Sequence, residues 1–276
     1  MVIDSHQHFW KYNPSRDTWI DENMEVIKRD FSPSDLFPIL QSHGIGGCVA
    51  VQADQSEAET EYLLTEAVAH DFIKGVVGWI DLRSPNCEDR LNYFCNHPYF
   101  KGVRHILQAE TPEFMLSESF KSGIKSISAF QIPYDLLVYP HHLEATITLV
   151  NTFPEQQFIL DHLAKPDIKN GKVKEWEPKI KELAKAPNVA CKVSGMVTEA
   201  DWNSWNKETL IPYMDVVFDA FGAHRILFGS DWPVCLLAGQ YKQVYDAVTH
   251  YCSKLSKREQ DLVFGENAIN WYNLSV

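Results

Sequence analysis

The sequence predicts an α/β fold, a single-domain (β/α)8 TIM barrel over residues 1–276, on three observations. Short β-branched or apolar runs start near Val2, Gly47, Gly75, Lys101, Ile132, Gln157, Asn188 and Arg225, each too short for a helix. They recur about every 32 residues, room for a strand, a helix and two loops. Helix-start signals lie between them, and no GxGxxG follows any run, so the rival open nucleotide-binding sheet lacks its fingerprint.

A hydrophobic content of 45% is ample for a large core. With 25 basic against 37 acidic residues, a net charge of −12 and no basic run, the chain would repel nucleic acid. Apolar runs such as Gly75 to Ile80 fall far short of the ~20 residues of a membrane span, and the opening MVIDSHQHFW has no basic leader region. A cytoplasmic protein without membrane association is expected. The six cysteines show no CxxC or zinc-finger spacing and read as reduced, buried thiols.

In chain order, the first run reads Val2-Ile3-Asp4-Ser5-His6-Gln7-His8. Alternation puts His6 and His8 on one side, at the strand end where barrel active sites gather. Two imidazoles at this spacing suit one ion or one substrate. The second run ends at Gln52, a polar contact, and Ser56–Glu59 reads as a capping box before Tyr62-Leu63-Leu64. The third ends at Trp79, followed by Ser84-Pro85 as a helix start. With Trp10 and Trp232, Trp79 is a candidate wall of a small-molecule pocket.

The fourth run ends in Arg104-His105, of which alternation sends one inward. The sixth, Phe158-Ile159-Leu160-Asp161-His162, poses the same choice, and His162 is expected to face inward. In the seventh, Lys192 shares a face with Ala190 and Ser194 and needs a buried partner such as Asp81, as a structural ion pair. Trp202 and Trp205 lie in the loop that follows, a candidate lid. The eighth run, Arg225 to Phe228, delivers Asp231 next to the first strand on closure, where a carboxylate can bind a metal, take a proton from water, or both. Ser256–Glu259 reads as a second capping box.

These segments resemble the amidohydrolase superfamily, and more closely its amidohydrolase-related branch of sugar-lactone lactonases, of the fuconolactonase and rhamnonolactonase type. The phrases IDSHQHFW, GVRHILQ, LDHLAKP, CKVSG, RILFGSDWP and FGENAINWY resemble that branch in the same order along nearly the whole chain. The resemblance implies a (β/α)8 barrel in which His6, His8 and Asp231 surround a hydrolytic water. His162 matches a further histidine of the branch, on the sixth strand by the present count rather than the fifth.

Two departures limit the metal content. Binuclear relatives resemble one another in a fourth-strand carboxylated Lys or Glu and two later histidines. Here the fourth run offers Arg104, which cannot be a neutral ligand, and the seventh offers no histidine. One metal or none remains. The resemblance then implies a carboxylic-ester hydrolase that opens an aldonolactone to its aldonic acid. Asp231 activates water, Asp231 or His162 returns the proton, and His6, His8 and Arg104 stabilise the oxyanion. Arg104 is preferred over its rival His105 as the inward cation, since a guanidinium suits a lactone carbonyl or product carboxylate. His6, His8, His162 and Asp231 would also supply ligands for a single Zn2+. Because metal-free lactonases belong to this branch, zinc binding is expected but turnover without it too. The alternatives are a metal-dependent decarboxylase of the same superfamily and a non-catalytic barrel that binds a sugar acid.

Overall fold

The computed structural model describes all 276 residues, and its sheet is an eight-stranded parallel barrel in sequential order. The strands are β1 (Ile3–Gln7), β2 (Gly47–Val51), β3 (Ile73–Gly78), β4 (Phe100–His105), β5 (Tyr134–Leu136), β6 (Phe158–Leu160), β7 (Val189–Val193) and β8 (Ile226–Phe228). Each lies within about two residues of its predicted start, because a buried parallel strand must be a short continuous apolar run. The ring closes where His8 N–H donates to Trp232 O at 2.7 Å and Asp231 N–H donates to His6 O at 2.8 Å. That closure removes the open-sheet alternative.

The crossover helices are α1 (Pro33–Ser42), α2 (Glu57–Ala69), α3 (Cys87–Cys95), α4 (Glu118–Phe130), α5 (Leu143–Thr152), α6 (Val173–Leu183), α7 (Lys207–Phe221) and α8 (Tyr241–Cys252). Two short helices, α9 (Lys257–Asp261) and α10 (Asn267–Trp271), finish the chain. No helix is long and apolar enough to cross a membrane. Ser256 and Glu259 form the predicted capping box. At α2 only half forms: Ser56 Oγ accepts from Glu59 N–H, but the Glu59 carboxylate turns to the N–H groups of Ala53 and Asp54. The start of α3 shifts past Ser84-Pro85 to Cys87, with Asn86 at the cap. All six cysteines are free.

A large apolar layer packs the helices on the barrel, while a smaller cluster fills its interior with Ile3, Val49, Val51, Val77, Ile159, Ala190 and Leu227. Tyr272 and Leu274 plug the bottom of that cluster. The polar site therefore sits above a closed apolar floor.

Candidate active site

The site is assembled by two departures from regular strand geometry. Ile3 already faces the interior, so strict alternation would turn His6 and His8 outward. The β1–β2 ladder slips between Asp4 and Gln7, and both imidazoles point inward. On β6, alternation from Ile159 points Asp161 inward and His162 away. His162, Leu163, Ala164 and Lys165 then form a left-handed turn with φ of 49–59°, which swings His162 back over the barrel. Such backbone costs about 1–2 kcal/mol per residue. It is held by hydrogen bonds from Lys165 N–H to His162 O (2.7 Å) and from Trp176 Nε1 to Leu163 O (2.8 Å). The expectation that only one of Asp161 and His162 faces inward is thus corrected: both do. The strand before them is the sixth.

Four side chains converge. His8 Nε2 lies 3.4 Å from Asp231 Oδ1, and His6 Nε2 and His162 Nε2 each lie 3.8 Å from it. His6 Nε2 and His8 Nε2 are 3.2 Å apart. His8 Nδ1–H donates to Val51 O at 2.7 Å, which leaves its Nε2 lone pair facing the others. His162 Nδ1 meets Ser194 Oγ at 2.8 Å. Gly195 makes room for that ring: it sits at φ +61°, and a Cβ there would lie 2.5 Å from His162 Nδ1.

Beneath the histidines lies a buried charge network. Asp161 pairs with Arg104 Nη1 (3.0 Å), Lys192 Nζ (3.0 Å) and His6 Nδ1 (3.3 Å). Lys192 also pairs with Asp135 at 2.6 Å, and Tyr272 OH donates to the same carboxylate. Lys192 therefore finds Asp135 and Asp161 rather than Asp81, which is half-exposed beside Arg83. Two cations and two carboxylates balance.

Burial would raise the Asp161 carboxyl, but Lys192, His6 and Arg104 outweigh it and hold the group well below the usual carboxylate range. Burial pushes Asp135 up to about 6 against the pull of Lys192. It also pushes His6 well below the imidazole range, with Asp161 opposing and Lys192 assisting. His162 falls to about 4 through burial, against Asp231 and Asp161. Burial opposes ionisation of Asp231, yet its imidazole neighbours, His162 first, hold it below the usual range. At neutral pH the centre holds the Asp231 carboxylate beside uncharged His6 and His162, an arrangement suited to a cation.

A cavity of about 530 Å³ opens above these groups, within the range of small-molecule sites. His8, His162, Asp231, Arg104 and Trp10 line it, as does Trp202 of the loop after β7. Five expected site residues do not, the first being His6, which is fully buried behind His8 and Asp231. His105 is the outward partner of Arg104; it bonds Glu110 at 3.1 Å and stacks on Phe114. Trp79 donates to His105 Nδ1 at 3.2 Å. Gln52 is spent on Arg104, accepting from its guanidinium through the backbone carbonyl and donating to Arg104 O. Trp232 is buried edge-on against Phe9 and Phe31. Trp205 lies apart from the cavity, its indole bonded to Ala238 O. Residues not singled out from sequence take these places: Trp19, Gln108, Tyr139, Lys165 and Glu199. Of these, Lys165 lay in the LDHLAKP phrase, while Glu199 carried no local signal.

The amidohydrolase family profile matches residues 3–274. The chain is 35% identical to the L-fucono-1,5-lactonase of Burkholderia ambifaria over 99% of this chain and 95% of that one. It is 36% identical to the L-fucono-1,5-lactonase of Burkholderia multivorans over 99% and 96%. A crystal structure of an amidohydrolase from Burkholderia multivorans with bound zinc superposes with a TM-score of 0.97, at 36% identity over the whole of both chains. With the barrel, the histidine pair of β1 and the carboxylate after β8 all in place, the chain belongs to the amidohydrolase family.

Proposed function

We propose that the protein hydrolyses a small sugar-derived lactone to its aldonic acid. The observation that carries this is the convergence of His8 and His162 on Asp231 at the floor of a sugar-sized cavity, with His6 fully buried against the same carboxylate. The full-length likeness to two L-fucono-1,5-lactonases supports the lactone as substrate.

In this reading Asp231, held ionised, accepts a proton from water, and the hydroxide attacks the lactone carbonyl. His6, His8 and Arg104 stabilise the oxyanion; Arg104 Nε–H is buried and has no partner of its own. The ring C–O bond breaks, and the departing alkoxide takes a proton from Asp231 or through His162. The neutral state of His162 lets it pass a proton without adding a fixed charge.

The residues also fit zinc. His6 Nε2, His8 Nε2 and Asp231 Oδ1 are 3.2–3.8 Å apart, and tetrahedral ligands at zinc lie about 3.3 Å from one another. Three acceptors that close to one another repel unless a cation or proton lies among them. His162 stands beside them, and Asp161 would orient His6 from behind. The chemistry zinc would supply there is Lewis acidity toward the carbonyl or the water. We further propose that turnover does not depend on it, because an activated ester needs less polarisation than an amide and Arg104 is a fixed cation at the carbonyl.

The test is a pH-indicator assay with L-fucono-1,5-lactone and a panel of other aldonolactones. Acid release with catalytic turnover is expected. Failure with every lactone, together with carbon dioxide release from hydroxybenzoates, would replace the lactonase by a decarboxylase.

A further inference from the structure

The cavity walls are divided by sector of the barrel. The loops after β1 and β8 contribute Trp19, Met24, Val234 and Leu237, an apolar side. The loops after β4, β5, β6 and β7 contribute Gln108, Tyr139, Lys165 and Glu199 among the apolar Ile106, Ala109, Leu137 and Trp202, a mixed side that carries most of the polar groups. Lys165 Nζ and Glu199 Oε1 are 3.5 Å apart, with side chains only 18% and 21% exposed.

This is not a closed structural ion pair. Lys192 and Asp135, in the same barrel, meet at 2.6 Å and are each held by further bonds. Lys165 and Glu199 are longer by nearly an ångström, and neither side chain has a further hydrogen-bond or ion-pair partner, Lys165 Nζ only standing 5.5 Å from the centre of the Tyr139 ring. Gln108 Oε1, on the same wall, is shut off from solvent with no hydrogen bond at all. Largely buried polar groups with unfilled capacity are costly unless a ligand completes them. Burial raises the Glu199 carboxyl while Lys165 lowers it, as expected of a group poorly satisfied by the protein alone.

We propose that Glu199 and Lys165 together bind a pair of adjacent ring hydroxyls, and so set specificity for polyhydroxylated lactones. One hydroxyl donates to the Glu199 carboxylate, and its neighbour accepts from Lys165 Nζ. The ring then lies with its hydroxylated edge toward β4–β7 and its C–H face toward Trp19 and Leu237. This inference rests on the lactonase reading and adds the residues that choose the substrate.

The experiment compares kcat/KM for L-fucono-1,5-lactone and for δ-valerolactone, a 1,5-lactone with no hydroxyls, in the unmutated chain and in Glu199→Gln, Lys165→Met and the double variant. Each single substitution is expected to lower the fucono/valero ratio on the order of 30-fold, the loss of one charged hydrogen bond. The double variant is expected to lose less than the product of the two, since both side chains serve one diol. An unchanged ratio overturns the proposal, as does an equal loss on both lactones accompanied by a lowered Tm, which would make the pair structural. If the unmutated chain opens no lactone of the aldonolactone panel, the lactonase reading itself fails, a result visible before any variant is made.

Discussion

Replacing Asp161 by asparagine removes one of the two negative charges that balance Arg104 and Lys192 in the buried network. The carboxylate lies 3.0 Å from each cation and 3.3 Å from His6 Nδ1, in a place without solvent exposure. Asparagine keeps the shape and leaves the interior with an excess positive charge. Removing one member of a buried pair costs about 3–5 kcal/mol, a large part of the ~5–15 kcal/mol that holds a domain together. We expect a loss of about 3 kcal/mol by urea unfolding followed by circular dichroism. The double variant Asp161→Asn with Lys192→Met restores the balance between Arg104 and Asp135. It should recover at least about 1 kcal/mol relative to the sum of the singles. Zinc titration reads the second consequence: His6 loses the charged acceptor that orients it, and affinity should fall 10–100-fold. A loss of stability under about 1 kcal/mol in Asp161→Asn, or strict additivity in the pair, would refute the charge-balance argument.

Asp231→Asn should keep the fold and lower kcat at least about 100-fold, because the amide cannot take the water's proton; more than a tenth of kcat remaining removes Asp231 as the base. Gly195→Ala should cost turnover well beyond Gly171→Ala. Both sit near φ +61 to +66°, but only the first would thrust a Cβ at His162, so equal effects on kcat and Tm would show that the ring is free to move. Stripping metal with a strong chelator, verified by elemental analysis, should leave most lactone hydrolysis intact; activity that vanishes and returns with one equivalent of Zn2+ would make Asp231 a ligand as well as a base. His162 should destabilise the fold in acid. Its pKa is near 4 when folded against 6.5 in the open chain, so the unfolded state binds more protons between those values and stability falls as pH drops through that window, by about 3 kcal/mol. A His162→Asn variant should lose that part of the slope, and an unchanged stability–pH curve would contradict the assignment.

The barrel was legible because its signals are local. A parallel strand covered on both faces is a short apolar run, and eight such runs at an even spacing leave little choice of architecture. That His6 and His8 share one side, and that Asp231 and Arg104 stand at strand ends, was legible for a related reason: spacing and strand-end position can be counted along one segment. What could not be counted is what two distant strands do to each other. The slip in the β1 ladder is set by pairing with β2, and it decides that the same strand can turn both Ile3 and His6 inward. The left-handed turn at His162–Lys165 is held by Trp176 of α6 and made possible by the space at Gly195, so no alternation rule could place Asp161 and His162 together. Lys192 chose Asp135 and Asp161 over Asp81 because barrel closure, not sequence proximity, sets which charges share the interior. Gln52, Trp79, Trp232 and His105 were lost to the site for the same cause, each satisfied by a neighbour from another strand or loop. The chemistry at strand ends is thus written in single segments, while the walls that choose a substrate are built between segments, where Lys165 and Glu199 meet only after the chain has closed.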